Sequence, residues 1–217
     1  MLAQDCVLCG AASGDALLCS GCADDLPRLH DACPRCAGPS VGCEVCGACL
    51  ADAPSFDATV AVWRYEFPLD RLVHALKYRG RLPLAAPFGE ALAAKVTGRR
   101  VDAVLAMPLA PARLAERGFN QAVEIARHAI RRTGGAGRLE LASRIRDTAP
   151  QTGLPHDARA ANVRGAFACA EPMAGMTVAV VDDVMTTGAS LEELARTLKR
   201  AGAARVENWV VARAWPR

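Results

Sequence analysis

Apolar and polar positions change period several times along this chain, and each change predicts an element. DATVAVWRY, residues 57–65, reads as a strand. Leu69, Leu72, Val73 and Leu76 then recur at helical spacing in PLDRLVHALKYRG, and PLAAPFGEALAAKVTG predicts a second helix. VDAVLAMPL, residues 101–109, is a strand whose apolar run stops at Met107-Pro108. Pro111 is placed to start the next helix, and the helical pattern holds over residues 112–132. A turn and strand in GGAGRLELAS follow, and residues 143–165 carry no clear period. GAFACA, VAVV and VENWVVARA are predicted strands, with a helix over 188–201 before the last. Several strands are apolar on both faces and alternate with helices. This predicts an α/β fold, a mostly parallel sheet with flanking helices. Ligands of such sheets bind at the carboxyl ends of strands, so the loops after Met107 and Val181 are the places for a site.

The first 55 residues break this pattern. They hold seven acidic and two basic residues, net −5, whereas residues 56–217 hold 16 acidic and 24 basic, net +8. Nine of the ten cysteines lie before position 50, so composition divides the chain into a module over 1–55 and a domain over 56–217. The cysteines are ordered: Cys6-x2-Cys9 and Cys19-x2-Cys22 recur 27 residues later as Cys33-x2-Cys36 and Cys46-x2-Cys49. Asp25 and Pro27 repeat as Asp52 and Pro54 at the same offset, the mark of a tandem repeat. A C-x2-C turn aims two sulfurs at one point, and two such turns complete the tetrahedral thiolate shell of a structural Zn2+. Disulfides and a redox centre are the competing uses. The former suit secreted domains, and four spaced pairs are too many for the latter. Two zinc ions per chain are therefore expected; Cys43 would replace Cys49 if the last knuckle were Cys43-x2-Cys46, but the repeat argues for Cys46 and Cys49 and leaves Cys43 a spare thiol. An acidic module with two thiolate shells is a poor phosphate-binding face, which favours a structural or protein-docking role.

Apolar residues make up 52% of the 217, enough for a buried core, yet no run approaches the ~20 apolar residues of a membrane span. The start, MLAQDCVLCG, has no basic segment followed by an apolar one, so a cytoplasmic protein is expected.

The candidate chemistry sits in VAVVDDVMTTGASL, residues 178–191. Asp182 and Asp183 follow an apolar strand, and two carboxylates there can accept hydrogen bonds from a vicinal diol such as ribose hydroxyls. The next loop offers backbone N–H groups, hydroxyls and Gly188 for close approach, and it opens a helix whose amino end favours an anion. Together these describe a ribose-5-phosphate site. A Walker-type acid would need a G-x4-G-K-[ST] partner, which the chain lacks. A receiver-type pair would lie near the start of a domain, and adjacent aspartates serving only as a cap would be costly to bury. Arg113 and Arg117, four apart near a strand end, suit phosphate, with a solvated helix face as the competing use. Lys77-Tyr78 is either a pocket contributor or a surface helix end.

VAVVDDVMTTGAS resembles the phosphoribosyl-pyrophosphate (PRPP) signature of type I phosphoribosyltransferases. MPLAPARLAERGFNQA, LVHALKYRG, TAPQTGLPHDARAANVRGAF and the cysteine module further resemble the ComF family over essentially the whole chain. The resemblance implies that Asp182 and Asp183 hold the ribose hydroxyls and that Thr186, Thr187, Gly188 and Ser190 bind the 5′-phosphate. It also implies Mg2+ with PRPP, pyrophosphate near the loop after Met107, and a mobile lid over 143–165 with Arg159 and Asn162 as contributors. Phosphoribosyl transfer is the enzymatic expectation. A non-catalytic protein of DNA uptake is the alternative, binding single-stranded DNA through the basic domain and meeting competence-machinery proteins. No segment reads as a base pocket.

Overall fold

The computed structural model describes residues 4–133, 137–146 and 163–215. Arg159, Asn162 and most of the expected lid lie outside the described residues.

The cysteine module comprises a short hairpin, β1 (Gln4–Asp5) and β2 (Ala12–Gly14), and two one-turn helices, α1 (Ser20–Asp24) and α2 (Gly47–Ala51). Next come β3 (Ala58–Arg64), α3 (Leu69–Arg79), α4 (Ala85–Val96) and β4 (Ala103–Ala106). They are followed by α5 (Pro111–Arg117), α6 (Gln121–Thr133), β5 (Ala142–Arg144) and β6 (Phe167–Cys169). The chain then runs through β7 (Thr177–Met185), α7 (Ala189–Arg200) and β8 (Arg205–Arg213). The strands order as β3-β8-β7-β4, all parallel, as the doubly apolar runs require, and β5 and β6 form a separate antiparallel pair.

The α3 positions read as a helical stripe, Leu69, Leu72, Val73 and Leu76, are all fully buried. Helices α4 and α6 pack closely because Gly89 carries no side chain: a Cβ there would stand 2.5 Å from the His128 Cβ and 2.6 Å from the Ile125 carbonyl oxygen. No helix among the described residues is long and apolar enough to cross a membrane.

Two expectations from the pattern need correction. The single helix expected over 112–132 is broken. Gly118, at φ +78°, takes the left-handed conformation that ends α5. Asn120 then starts α6, its Oδ1 accepting the Ala122 N–H at 2.9 Å while its Nδ2 donates to the Met107 carbonyl at 3.0 Å. The strand expected at VAVV runs on through both aspartates to Met185, in register with β8 at Asp182–Val210, Val184–Ala212 and Met185–Arg213. The acidic pair is therefore held inside a strand rather than in a loop after it.

The module is docked on β3, an edge strand. The Thr59 and Arg64 N–H groups donate to the Pro34 and Pro27 carbonyls at 3.0 and 2.8 Å, so module backbone satisfies donors that the sheet leaves open. The connecting Ser55 is pinned to α7, its N–H and hydroxyl donating to the Glu192 carboxylate at 2.8 and 2.6 Å.

Candidate functional site

Strand β4 ends one register position before the acids. Ala106 pairs with Val181 and the Met107 N–H still reaches the Val181 carbonyl at 2.8 Å, and the pairing of β4 with β7 ends there, just before Pro108. From Asp182 onward β7 is paired with β8 but has lost its other neighbour. The space where β4 would continue is a cleft of about 380 Å3.

Asp182 is half-buried and lines this cleft, and its Oδ1 accepts the Asp183 N–H at 2.8 Å. Asp183 is buried; its Oδ1 accepts the Val184 N–H at 2.9 Å, and its Oδ2 is ion-paired with the Lys77 ammonium at 2.5 Å. The two carboxyls are driven apart. Burial, and then the neighbouring Asp183 charge, push Asp182 well above the ordinary carboxylate range. Burial would raise Asp183 as well, but Lys77, Asp182 and the Val184 N–H outweigh it and hold this carboxyl below its usual range. Burial likewise works against the Lys77 charge, and Asp183 overcomes it, leaving Lys77 above its ordinary value. The Tyr65 phenol beside this pair is also raised, by burial first.

The amino end of α7 also lines the cleft. Gly188 is its N-cap, at φ +84°, and Thr186, Gly188, Ala189 and Ser190 line the cleft. A Cβ at Gly188 would lie 2.7 Å from the Met185 Cε, and the positive φ would strain any L side chain. Thr187 does not line the cleft; its hydroxyl accepts the Ala189 N–H at 3.4 Å. Arg113 lines the cleft, whereas Arg117 turns to the Gln121 side chain and stacks over Tyr78, 5.4 Å from the ring centroid. Cations, a helix amino end and two carboxylates thus share one cleft, an arrangement suited to a ligand carrying both hydroxyls and phosphates. Lys77 is the contributor that sequence reasoning left undecided, since its place at the end of α3 fits a surface position equally well.

Both cysteine sets are assembled. The sulfurs of Cys6, Cys9, Cys19 and Cys22 lie within 4.8 Å of one another, as do those of Cys33, Cys36, Cys46 and Cys49. The Cys9–Cys19 and Cys36–Cys46 sulfurs are both 3.7 Å apart. That is the edge of a tetrahedron with Zn–S of about 2.3 Å, and far longer than the ~2.05 Å of a disulfide. The repeat extends to the backbone. The Gly10 N–H donates to the Cys6 carbonyl at 2.9 Å and Ala37 to Cys33 at 2.8 Å; Ala23 donates to Cys19 and Leu50 to Cys46, both at 3.0 Å. Burial works against the Cys6 and Cys33 thiolates, yet equivalent backbone N–H groups bring them to about 6 and about 7. Cys43 stands exposed outside both sets. The donor chemistry fits structural zinc. Metal analysis of purified protein is expected to find two zinc ions per chain, unchanged by Cys43→Ser; a count that falls on that substitution would move the register.

Residues 114–214 match the phosphoribosyl transferase domain family, and residues 1–50 match the double zinc ribbon domain family. The DNA utilization protein YhgH of Salmonella typhimurium is 34% identical over 90% of this chain and 90% of its own. Competence protein F of Haemophilus influenzae is 28% identical over 91% of this chain and 90% of its own. A solved glutamine PRPP amidotransferase from B. subtilis, complexed with ADP and GMP, overlays with a TM-score of 0.41 at 21% identity, over 57% of this chain and 25% of that one.

Proposed function

The chain belongs to the ComF family, that of competence protein F and YhgH, and from that premise we propose that its cleft binds PRPP with Mg2+ and supports phosphoribosyl transfer. The observation that carries this reading is that the half-buried Asp182, the amino end of α7, Lys77 and Arg113 all line one cleft. Asp182 accepts the ribose hydroxyls, and Asp183 keeps that carboxylate oriented through the strand while it anchors Lys77. Thr186, Gly188 and Ser190 surround the 5′-phosphate at the helix end, with Thr187 shaping the turn from behind. Arg113 and Lys77 meet the pyrophosphate, and Arg117 holds Tyr78 at the cleft margin. Mg2+ held with PRPP would supply charge neutralisation to the pyrophosphate, and Asp182 and Asp183 would favour the positive charge that develops at C1′ as its bond to pyrophosphate breaks and a bond to the acceptor forms.

We take residues 1–55 as a double zinc ribbon and 56–217 as the ligand-binding domain. The thiolate shells need reduced cysteines, which fits a cytoplasmic setting. A second reading has support in the net charge of +8 on residues 56–217 and in the names of the relatives. It is a non-catalytic protein of DNA uptake that binds single-stranded DNA and meets competence-machinery partners.

Calorimetric titration with Mg2+–PRPP tests the first reading. Asp182→Asn is expected to weaken binding by about 1.5–3 kcal/mol, the range for hydrogen bonds to charged groups. It is a cleaner probe than Asp183→Asn, which also strips Lys77 of its counter-ion. Gly188→Val is expected to weaken binding at least as much, because it fills the phosphate space and strains a left-handed backbone. The raised Asp182 carboxyl adds a pH signature. The free protein keeps that proton to an unusually high pH, so binding that needs the carboxylate strengthens as pH rises through that pKa and releases a proton. Folded wild-type protein that ignores Mg2+–PRPP yet binds single-stranded DNA with a steep salt dependence would replace the first reading with the second.

A further inference from the structure

Arg213 is the last residue of β8 and is buried, 8% exposed. Among the described residues no carboxylate pairs with it; its guanidinium donates to four carbonyl oxygens and also meets the Cys36 side chain. Nε donates to Cys36 at 2.9 Å, and Nη1 donates to Met185 at 3.1 Å and to Thr186 and Ala214. One side chain thus joins a knuckle of the second cysteine shell to the start of the loop that lines the cleft. Trp215 strengthens the module end of this link, its Nε1 donating to the Ala37 carbonyl at 2.9 Å, inside the same knuckle.

A buried guanidinium needs compensating negative charge nearby. Carbonyl dipoles supply part of it. The other source within reach is the shell that Cys36 belongs to, since four thiolates around Zn2+ carry a net charge of about −2. The first shell has no equivalent connection: among the described residues, no hydrogen bond runs from Cys6, Cys9, Cys19 or Cys22 to the large sheet. The repeat is therefore symmetric in its cysteines and asymmetric in what each half touches.

We propose that Arg213 is a positioning residue through which metal binding at Cys33, Cys36, Cys46 and Cys49, and not at the first shell, sets the conformation of the Met185–Ser190 loop. With the second shell loaded, the Cys36 carbonyl is held rigidly and the guanidinium is fixed by it. The Met185 and Thr186 carbonyls are then held at the point where β7 turns into the cleft. Without that metal the knuckle loosens, the guanidinium loses its fixed partner and nearby charge, and the loop is freed. The consequence for ligand binding rests on the phosphate-loop reading above; the consequence for loop conformation does not.

The test uses the full chain and four proteins: wild type, Cys22→Ser, Cys49→Ser and Arg213→Met. Cys22 and Cys49 are equivalent positions of the repeat, so the two serine variants differ only in which shell they break. Zinc content is measured with backbone hydrogen exchange over residues 186–191, and with Mg2+–PRPP affinity. Each serine variant is expected to retain one zinc, and Arg213→Met to retain both. Loop amides are expected to exchange on the order of tenfold faster in Cys49→Ser and Arg213→Met. Cys22→Ser should match wild type there, and the amides of Val178–Val181 should be unchanged in all four proteins. That pattern separates a positioned loop from general destabilisation. PRPP affinity should fall in the same two variants only. Should Arg213→Met not fold, Arg213→Lys keeps the charge but not the planar fork, and the same loop acceleration is expected. Unchanged loop exchange in the arginine variant, or equal loosening by Cys22→Ser and Cys49→Ser, overturns the proposal. A wild-type chain that binds no PRPP overturns the ligand reading instead, while the exchange data still decide the coupling.

Discussion

Lys77→Met is expected to lower the unfolding free energy by about 3 kcal/mol, a fall of roughly 6–12 °C in melting temperature for a chain of this size. The substitution keeps the length of the side chain and removes its charge. Asp183, 2% exposed, is then left with no cation, so it is either buried unpaired or must take up a proton, and severing a buried pair costs far more than the pair contributes. The low end of the ~3–5 kcal/mol for severing a buried pair applies because the Lys77 side chain is still 21% exposed, so water reaches one side of the pair. Lys77→Met/Asp183→Asn is expected to recover most of the loss, since the double variant buries no unpaired charge. Thermal denaturation of the single and double variants measures the coupling. A loss below ~1 kcal/mol for Lys77→Met would mean that the pair is loosely held.

The pH dependence of stability carries a matching signature. Asp183 is held below its usual pKa, so its contribution is present above the unfolded carboxylate value of about 3.9 and is lost as pH falls through the folded value. Lys77 is raised, so its contribution is present below the unfolded lysine value of about 10.4 and is lost as pH rises through the folded one. Both limbs should be blunted in Lys77→Met.

Removing the metal is expected to have a still larger effect, with unfolding restricted to the module and, beyond it, loosening only at the Met185–Ser190 loop. Among its described residues the buried apolar set is small: Cys6, Leu26, Cys33, Ala37 and Cys49, three of them cysteines of the two clustered sets. Helices α1 and α2 are single turns with no side-chain cap, each beginning at a cysteine N-cap, Cys19 or Cys46. Such helices do not persist alone. Structural zinc sites supply an apparent binding free energy of about 10–16 kcal/mol at neutral pH, so chelation under reducing conditions should unfold the module as a unit. Hydrogen exchange is the measurement. Amides of α1 and α2 should lose protection while those of β7 and β8 keep it. Protected α1 and α2 amides in metal-free, reduced protein would show that the fold of the module does not depend on metal.

These expectations draw on different levels of the chain. The cysteine sets were legible from spacing because a knuckle is a local object: three or four residues determine where its two sulfurs point, and a 27-residue repeat brings the same geometry twice. The parallel sheet was legible from doubly apolar strands, and the acid pair with its TTGAS loop from the density of unusual residues at one strand end. Local pattern could not tell how far β7 continues, because Asp182 and Asp183 stay in the strand only by virtue of their pairing with β8, while β4 stops short at Pro108. Nor could it separate Arg113, which reaches the cleft, from Arg117, which Tyr78 and Gln121 draw away. Lys77 and Arg213 were the most hidden. Each sits at the end of an ordinary amphipathic or apolar element, and its role comes from a partner distant in sequence, Asp183 for one and Cys36 with Thr186 for the other. Short-range geometry is written in residue spacing. Which charged side chains meet in a buried space depends on how the sheet, the helices and the docked module pack, and that only the tertiary structure decides.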